Sequence, residues 1–146
     1  MYLYNPIEDC YATKKKIKIF RKELDLLREK KKKLRILDFG CGNALDCGKY
    51  LFNNLDEYLG YDIYKPGIEF AKKKFKKKNV NFTNIFPKRK FDVIICSEVF
   101  EHLENPTEII KKLNNSIHTG GILLGSVPNG FGLTEIEKFL IHKLGM

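Results

Sequence analysis

A strand that runs into a glycine-rich turn and opens a helix is the feature that most constrains this chain. Leu34, Ile36, Leu37 and Phe39 suit a buried strand, and Gly40 and Gly42 break it. Ala44 to Asn53 then reads as a helix with Asn43 as its N-cap. Glycines at such a turn let the backbone bend sharply and let a ligand approach with no Cβ in the way. The G-x-G pair alone serves a plain tight turn equally well, so its surroundings decide.

Those surroundings point to a nucleoside. The next strand, EYLGYDIY, ends near Asp62, 22 residues after Gly40. A carboxylate there can accept both ribose hydroxyls, as in dinucleotide-binding folds. The dinucleotide fingerprint would need glycine at position 45, where Leu45 stands. Asp38, two residues before the first glycine, would repel a pyrophosphate and suits a cationic α-amino group. S-adenosylmethionine carries such a group and a sulfonium.

The rest of the chain alternates strands with helical stretches, which argues for right-handed crossovers and a parallel sheet. Ile7, Tyr11, Ile17, Phe20, Leu24 and Leu27 recur at helical spacing within a basic segment, 7–33. Pro66 fits the first turn of a helix that runs through Ile68, Phe70, Ala71 and Phe75. Residues 79–86 alternate as a third strand, and Phe91 to Cys96 form a fourth that is apolar on both faces. Pro106 to Ser116 reads as a helix, Thr119-Gly120-Gly121 as a turn, Ile122 to Val127 as a fifth strand and 133–144 as a final helix. With 146 residues this is one domain, 1–146, with its core at 34–129.

Charge is concentrated rather than spread. Residues 14–35 hold twelve Lys/Arg and three acids, and residues 72–90 hold nine Lys/Arg and no acid, in a chain of net charge +9. Solvated helix faces are the preferred reading of these runs, with nucleic-acid binding as the alternative. The four cysteines form no C-x-x-C pair or zinc-ligand spacing, and Cys96 reads as a buried reduced thiol. No apolar run spans a bilayer and the N-terminus lacks signal-peptide character, so a cytoplasmic protein with no membrane partner is expected.

The segment ILDFGCGNA resembles the first motif of class I S-adenosylmethionine-dependent methyltransferases. FDVIICSEVFEHLENP resembles their fourth-strand motif and TGGILLGSVPN their fifth-strand motif, so the likeness covers residues 34–129. It is closest to the broad group that methylates small molecules, quinone precursors, sugars and some RNAs. The fold implied is α/β, a Rossmann-like three-layer sandwich with a mainly parallel sheet in the order 3-2-1-4-5. The cofactor implied is S-adenosyl-L-methionine, leaving as S-adenosyl-L-homocysteine. Carried over by position, Asp38, Gly40, Cys41, Gly42 and Asn43 would wrap the methionine part, and Asp62 would take the ribose. Ile63 would lie against adenine, Asn84 and Ile85 at its edge, and Ser97 and Glu98 beneath the ligand. Asn84 stands where the family often has Asp.

The implied reaction is methyl transfer to a hydroxyl or similar nucleophile of a small-molecule acceptor. His102, four residues after Glu98 on an expected helix, is the candidate base, against the reading of a structural histidine at a helix start. Cys96-Ser97-Glu98-Val99 stands where methyltransferases of DNA adenine or amide side chains carry Asn/Asp-Pro-Pro-Tyr, which argues against those substrates. Glu98, Glu101 and His102 would share a helical face. The resemblance permits a metal, since small-RNA 2′-hydroxyl methyltransferases use a similar Glu-x-x-Glu-His group. His118 and His142 sit in no matching motif, and no metal is the preferred reading.

The family's sheet normally has seven strands ordered 3-2-1-4-5-7-6, and the final antiparallel hairpin has no counterpart in this reading. The fifth strand would then be an exposed apolar edge that invites a second copy or a partner chain, unless the last helix covers it. A truncated or short form of the domain is expected. Tyr2, Tyr4 and Tyr11 are candidates for a lid, although they serve packing equally well. Two further functional readings stand beside the leading one: a binding module that has lost catalysis, and an RNA-directed methyltransferase.

Overall fold

The computed structural model describes residues 11–128 and two short extended pairs, 136–137 and 140–141. Helix α1 (Tyr11–Lys30) precedes strand β1 (Arg35–Phe39), and β2 (Glu57–Tyr61), α2 (Lys65–Lys74), β3 (Val80–Thr83) and β4 (Phe91–Ser97) follow. Helix α3 (Pro106–Asn114) leads to β5 (Ile117–Pro128), β6 (Ile136–Glu137) and β7 (Leu140–Ile141). The parallel strands lie in the order β3-β2-β1-β4-β5, with β6 and β7 antiparallel to β5. The Rossmann-like fold and the strand order expected from the sequence are those of the structure. No helix among the described residues is long and apolar enough to cross a membrane.

Two cores flank the sheet because successive side chains of a strand point to opposite faces. Ile36, Val93 and Ile95 meet Ile17, Phe20 and Leu24 of α1 and Ile68 and Ala71 of α2. On the other face Leu37, Phe39, Ile94 and Cys96 meet Leu113 of α3, with Ile109 and Phe86 against them. Each fully buried side chain of this size contributes roughly 1.5–3 kcal/mol. Asn105 caps α3: its Oδ1 accepts from Glu108 N at 3.2 Å, while its Nδ2 donates to Glu108 Oε2 at 3.3 Å.

Helix α1 is fastened at both ends. Near its C-terminus Arg28 donates to Asp56 Oδ2 from Nε at 3.0 Å, and the buried Asp56 also accepts from Leu34 N at 3.0 Å. Lys31 and the amide of Arg35 share Asp92, at 2.7 and 2.8 Å. At the other end Lys16 reaches the carboxyl edge of the sheet, where its Nζ lies 2.6 Å from Glu98 Oε1. Twelve residues of helix span about 18 Å, which is the length of a five-residue strand, about 17 Å.

Four expectations need correction. The segment 44–53 is not an α-helix: it turns, with one 3₁₀ turn at Gly48–Tyr50. Asn43 Oδ1 accepts from Leu45 N at 3.0 Å, a local closure that competes with helix, and Ala44 has φ 62°. The helix expected around His102 is likewise a 3₁₀ turn, Phe100–His102. The turn at 119–121 lies within β5, as a bulge opposite the Phe91–Val93 register shift, with φ +80° at Gly120. Finally, residues 136–137 and 140–141 are strand, not parts of a helix over 133–144. They pair antiparallel with β5 through Val127↔Glu137, Pro128↔Ile136, Leu124↔Leu140 and Leu123↔Ile141. The edge of β5 expected to lie open is therefore paired from within the chain. Tyr2, Tyr4, Cys10 and His142 lie outside the described residues, as does the side chain of Tyr11.

The crossover from β3 to β4 is unusual. Seven residues, 84–90, carry the chain past β2 and β1 with no helix. Seven residues reach about 25 Å at most, and three strand spacings consume about 14 Å of that. The connection is therefore extended. Phe86 pins it to the sheet, its ring 5.5 Å from that of Tyr61 and 6.3 Å from that of Phe39.

Candidate cofactor site

The carboxyl edge of the sheet gathers the residues singled out by sequence. The turn after β1 takes left-handed backbone at Gly40 (φ 76°), Gly42 (φ 54°) and Ala44. At Gly40 a Cβ would stand 2.5 Å from Val99 Cγ2, so packing alone demands glycine. At Gly42 a Cβ would meet nothing within 4 Å, so this glycine faces open space. Asp62, one residue past β2, ties the turn to the next helix. Its Oδ2 accepts from Gly42 N and its Oδ1 from Tyr64 N, both at 2.8 Å.

Beyond the strand ends two apolar side chains stand in the open. Ile63, after β2, is 82% exposed, and Ile85, after β3, is 75% exposed. Thr83 closes the turn beside Ile85, its Oγ1 accepting from Ile85 N at 3.0 Å, and Asn84 is exposed there. At the end of β4, Ser97 Oγ lies 3.4 Å from the hydroxyl of the buried Ser126. Glu98 follows with φ 58°, its amide donating to Ser126 O at 2.8 Å.

Asp38 lies beneath the turn. It is buried and accepts a hydrogen bond from the hydroxyl of the equally buried Tyr58. A Cβ at Gly48 would stand 2.2 Å from that hydroxyl, so Gly48 makes room for the pair. Burial pushes the Asp38 carboxyl up to about 6, opposed by the Tyr58 hydrogen bond and the positive charge of Lys16. Burial also pushes the Cys41 and Cys47 thiols up, so neither is a nucleophile at neutral pH.

The local charge is the reverse of the whole chain's. Asp38, Asp62 and Glu98 converge here with Lys16 as their buried cation, in a protein of net charge +9. Open space over Gly42, a carboxylate at the end of β2, two exposed isoleucines and a surplus of negative charge fit a cationic nucleoside better than a nucleotide phosphate.

Sequence reasoning missed Lys16 and Tyr58. Lys16 is hidden in a lysine run, although it stands four residues before Phe20 and eight before Leu24 on the inward face. Tyr58 reads only as a strand residue, and its hydroxyl partner could not be inferred. Conversely, Glu98, Glu101 and His102 do not form one face. Glu98 pairs with Lys16, and His102 Nε2 lies 3.9 Å from Glu101 Oε1 with its side chain 78% exposed. No three His, Cys, Asp or Glu residues come together as a metal site among the described residues.

A parallel sheet in this order, with a glycine turn after β1 and an acidic residue after β2, defines a Rossmann-like nucleoside-binding domain. The chain belongs to the methyltransferase domain family, whose model matches residues 11–140, and S-adenosylmethionine is its cofactor. It is 35% identical over 119 residues to an uncharacterised protein of Methanocaldococcus jannaschii, covering 74% of this chain and 29% of that one. It is 27% identical over 125 residues to an mRNA cap guanine-N(7) methyltransferase of Schizosaccharomyces pombe, covering 72% and 35%. A ubiquinone biosynthesis O-methyltransferase of Rickettsia typhi is 33% identical over 121 residues, covering 74% and 49%. Among solved structures, PKMT2 of Rickettsia typhi in complex with AdoHcy superposes with TM-score 0.55 at 28% identity, covering 64% of this chain and 20% of that one. The chain thus spans about a third to a half of the length of these curated relatives.

Proposed function

We propose that this domain transfers a methyl group from S-adenosylmethionine to a hydroxyl or similar nucleophile of a small-molecule acceptor. The observation that carries the reading is the convergence of Asp38, Asp62 and Glu98 around an open glycine turn in an otherwise basic protein. The bound donor supplies an activated methyl on a sulfonium. The S–CH₃ bond breaks, an O–CH₃ bond forms, the sulfonium becomes a thioether, and the hydroxyl proton passes to a base or to water.

The chain's own residues hold and align. Asp62 receives the ribose hydroxyls while keeping Gly42 in place, and Ile63 and Ile85 sandwich the adenine. Asn84 meets the adenine edge. Cys41, Gly42 and Asn43 line the methionine part, with Gly40 fixing the bend and Ser97 below. Lys16 leaves Glu98 for the donor carboxylate, and Asp38 acts from beneath the turn as a fixed negative charge. Such positioning supplies much of the rate in a displacement at an activated carbon. His102 stands at the solvent side of β4, where an acceptor hydroxyl would arrive.

Single-turnover incubation with methyl-labelled donor and a panel of phenolic, sugar and RNA acceptors tests the proposal. Label transfer to a hydroxyl acceptor supports it. Donor binding without transfer to any acceptor favours a binding module instead.

A further inference from the structure

The short crossover between β3 and β4 leaves a groove that donor binding does not use. It has a volume of about 520 Å³ and lies between the extended segment 86–90 and the end of α3. Phe86, Lys88, Arg89, Lys90, Lys112 and Asn115 line it, and no acid does. Lys112 Nζ sits 4.0 Å above the Phe86 ring. Arg89 lies 5.1 Å over the Phe91 ring and 3.5 Å from Glu57, outside the groove. Lys88 and Lys90 are exposed, with no ion pair among the described residues.

The other basic surfaces differ. On α1 the lysines alternate with Glu23, Asp25 and Glu29, and Arg28 is bound to Asp25 and Asp56. On α2 Lys72 pairs with Glu69. The crossover groove alone combines a hollow, four cations without an acid, and an aromatic ring under a displaceable ammonium. Single-stranded nucleic acid asks for this combination: cations for the phosphates and a ring on which a base stacks. A hollow of this size accepts a nucleotide, pockets for small ligands running from roughly 300 Å³ upward.

We propose that this groove docks a single-stranded nucleic acid, with a base displacing Lys112 from Phe86 and phosphates lying along Lys88, Arg89 and Lys90. The docking is independent of methyl transfer: it operates whether the bound strand is the acceptor or a tether.

The test is fluorescence anisotropy with a labelled RNA of about 12 nucleotides, within the roughly 4–16 nucleotides that one such site covers. The K88Q/K90Q/K112Q variant is compared with K72Q/K73Q/K74Q, which removes the same charge from α2. The groove variant should weaken binding at least tenfold and reduce the salt slope by about 2, since each lost phosphate contact is worth about 0.7 in slope for a single strand. The α2 variant should weaken it less than threefold. Equal losses in both variants, or no binding by the wild type, would overturn the proposal. So would capture of the protein by phosphatidylcholine–phosphatidylserine vesicles with the same groove dependence and no RNA binding. Calorimetry with S-adenosylmethionine on the groove variant reads donor binding separately, and it should be unchanged. Loss there with intact RNA binding would count against the donor site and not against the groove.

Discussion

Lys16 of α1 and Glu98 after β4 form a buried-to-surface ion pair, 2.6 Å long, at the edge where the donor's methionine part would lie. The lysine side chain is 4% exposed and the glutamate 39%. A partner that offers a carboxylate to Lys16 competes with Glu98 directly. K16M should raise the donor Kd at least tenfold, about 1.4 kcal/mol, and leave stability within about 1 kcal/mol because the stem still packs. E98Q should bind donor as tightly as the wild type or tighter. Calorimetry on both variants checks this, and unchanged affinity in K16M removes Lys16 from the donor subsite.

The Tyr58–Asp38 pair makes stability depend on pH. The folded carboxyl sits near 6 where an ordinary one sits near 3.8, so the folded protein holds a proton that the unfolded chain has lost. This group's contribution is therefore greatest below about pH 4 and is lost as pH rises through about 6, a swing of about 3 kcal/mol. D38N should flatten the urea stability profile across that window. Y58F strips the carboxylate of its donor and should cost about 1–3 kcal/mol more at pH 7.5 than at pH 5.

Ile63 and Ile85 contribute little to folding at their exposures of 82% and 75%. I63S/I85S should change stability by less than about 0.5 kcal/mol and weaken donor binding at least fivefold. Intact donor affinity in this variant would place the adenine elsewhere.

Arg28 is the counter-ion of the fully enclosed Asp56, which also orders the start of β1 through Leu34 N. R28M leaves that charge uncompensated and should cost about 3 kcal/mol in urea unfolding. R28M/D56N should recover part of the loss, because the amide still accepts from Leu34 N.

The strands and the glycine turn were legible because their signals are local. Phe91 to Cys96 is apolar on both faces, as a central parallel strand must be, and Gly40 and Asp62 bracket one ligand edge. What was not legible depends on tertiary context. Ile136 and Leu140 are spaced as on a helix, yet an apolar strand edge beside them draws both into β pairing. Asn43 reads as a helix cap, but its side chain closes on Leu45 and the helix never starts. Glu98 and His102 share a helical face on paper, and the left-handed Glu98 breaks that face. Lys16 could not be told from its neighbours, because only the fold turns it inward.

The most direct measurement is a calorimetric titration of S-adenosylmethionine and S-adenosylhomocysteine into the wild type and D62N. Both ligands should bind the wild type with one site per chain. D62N, which keeps the size of the side chain at the end of β2, should bind both at least tenfold more weakly with little change in melting temperature. A folded wild-type protein that takes up neither ligand would contradict the assignment of this edge as the donor site.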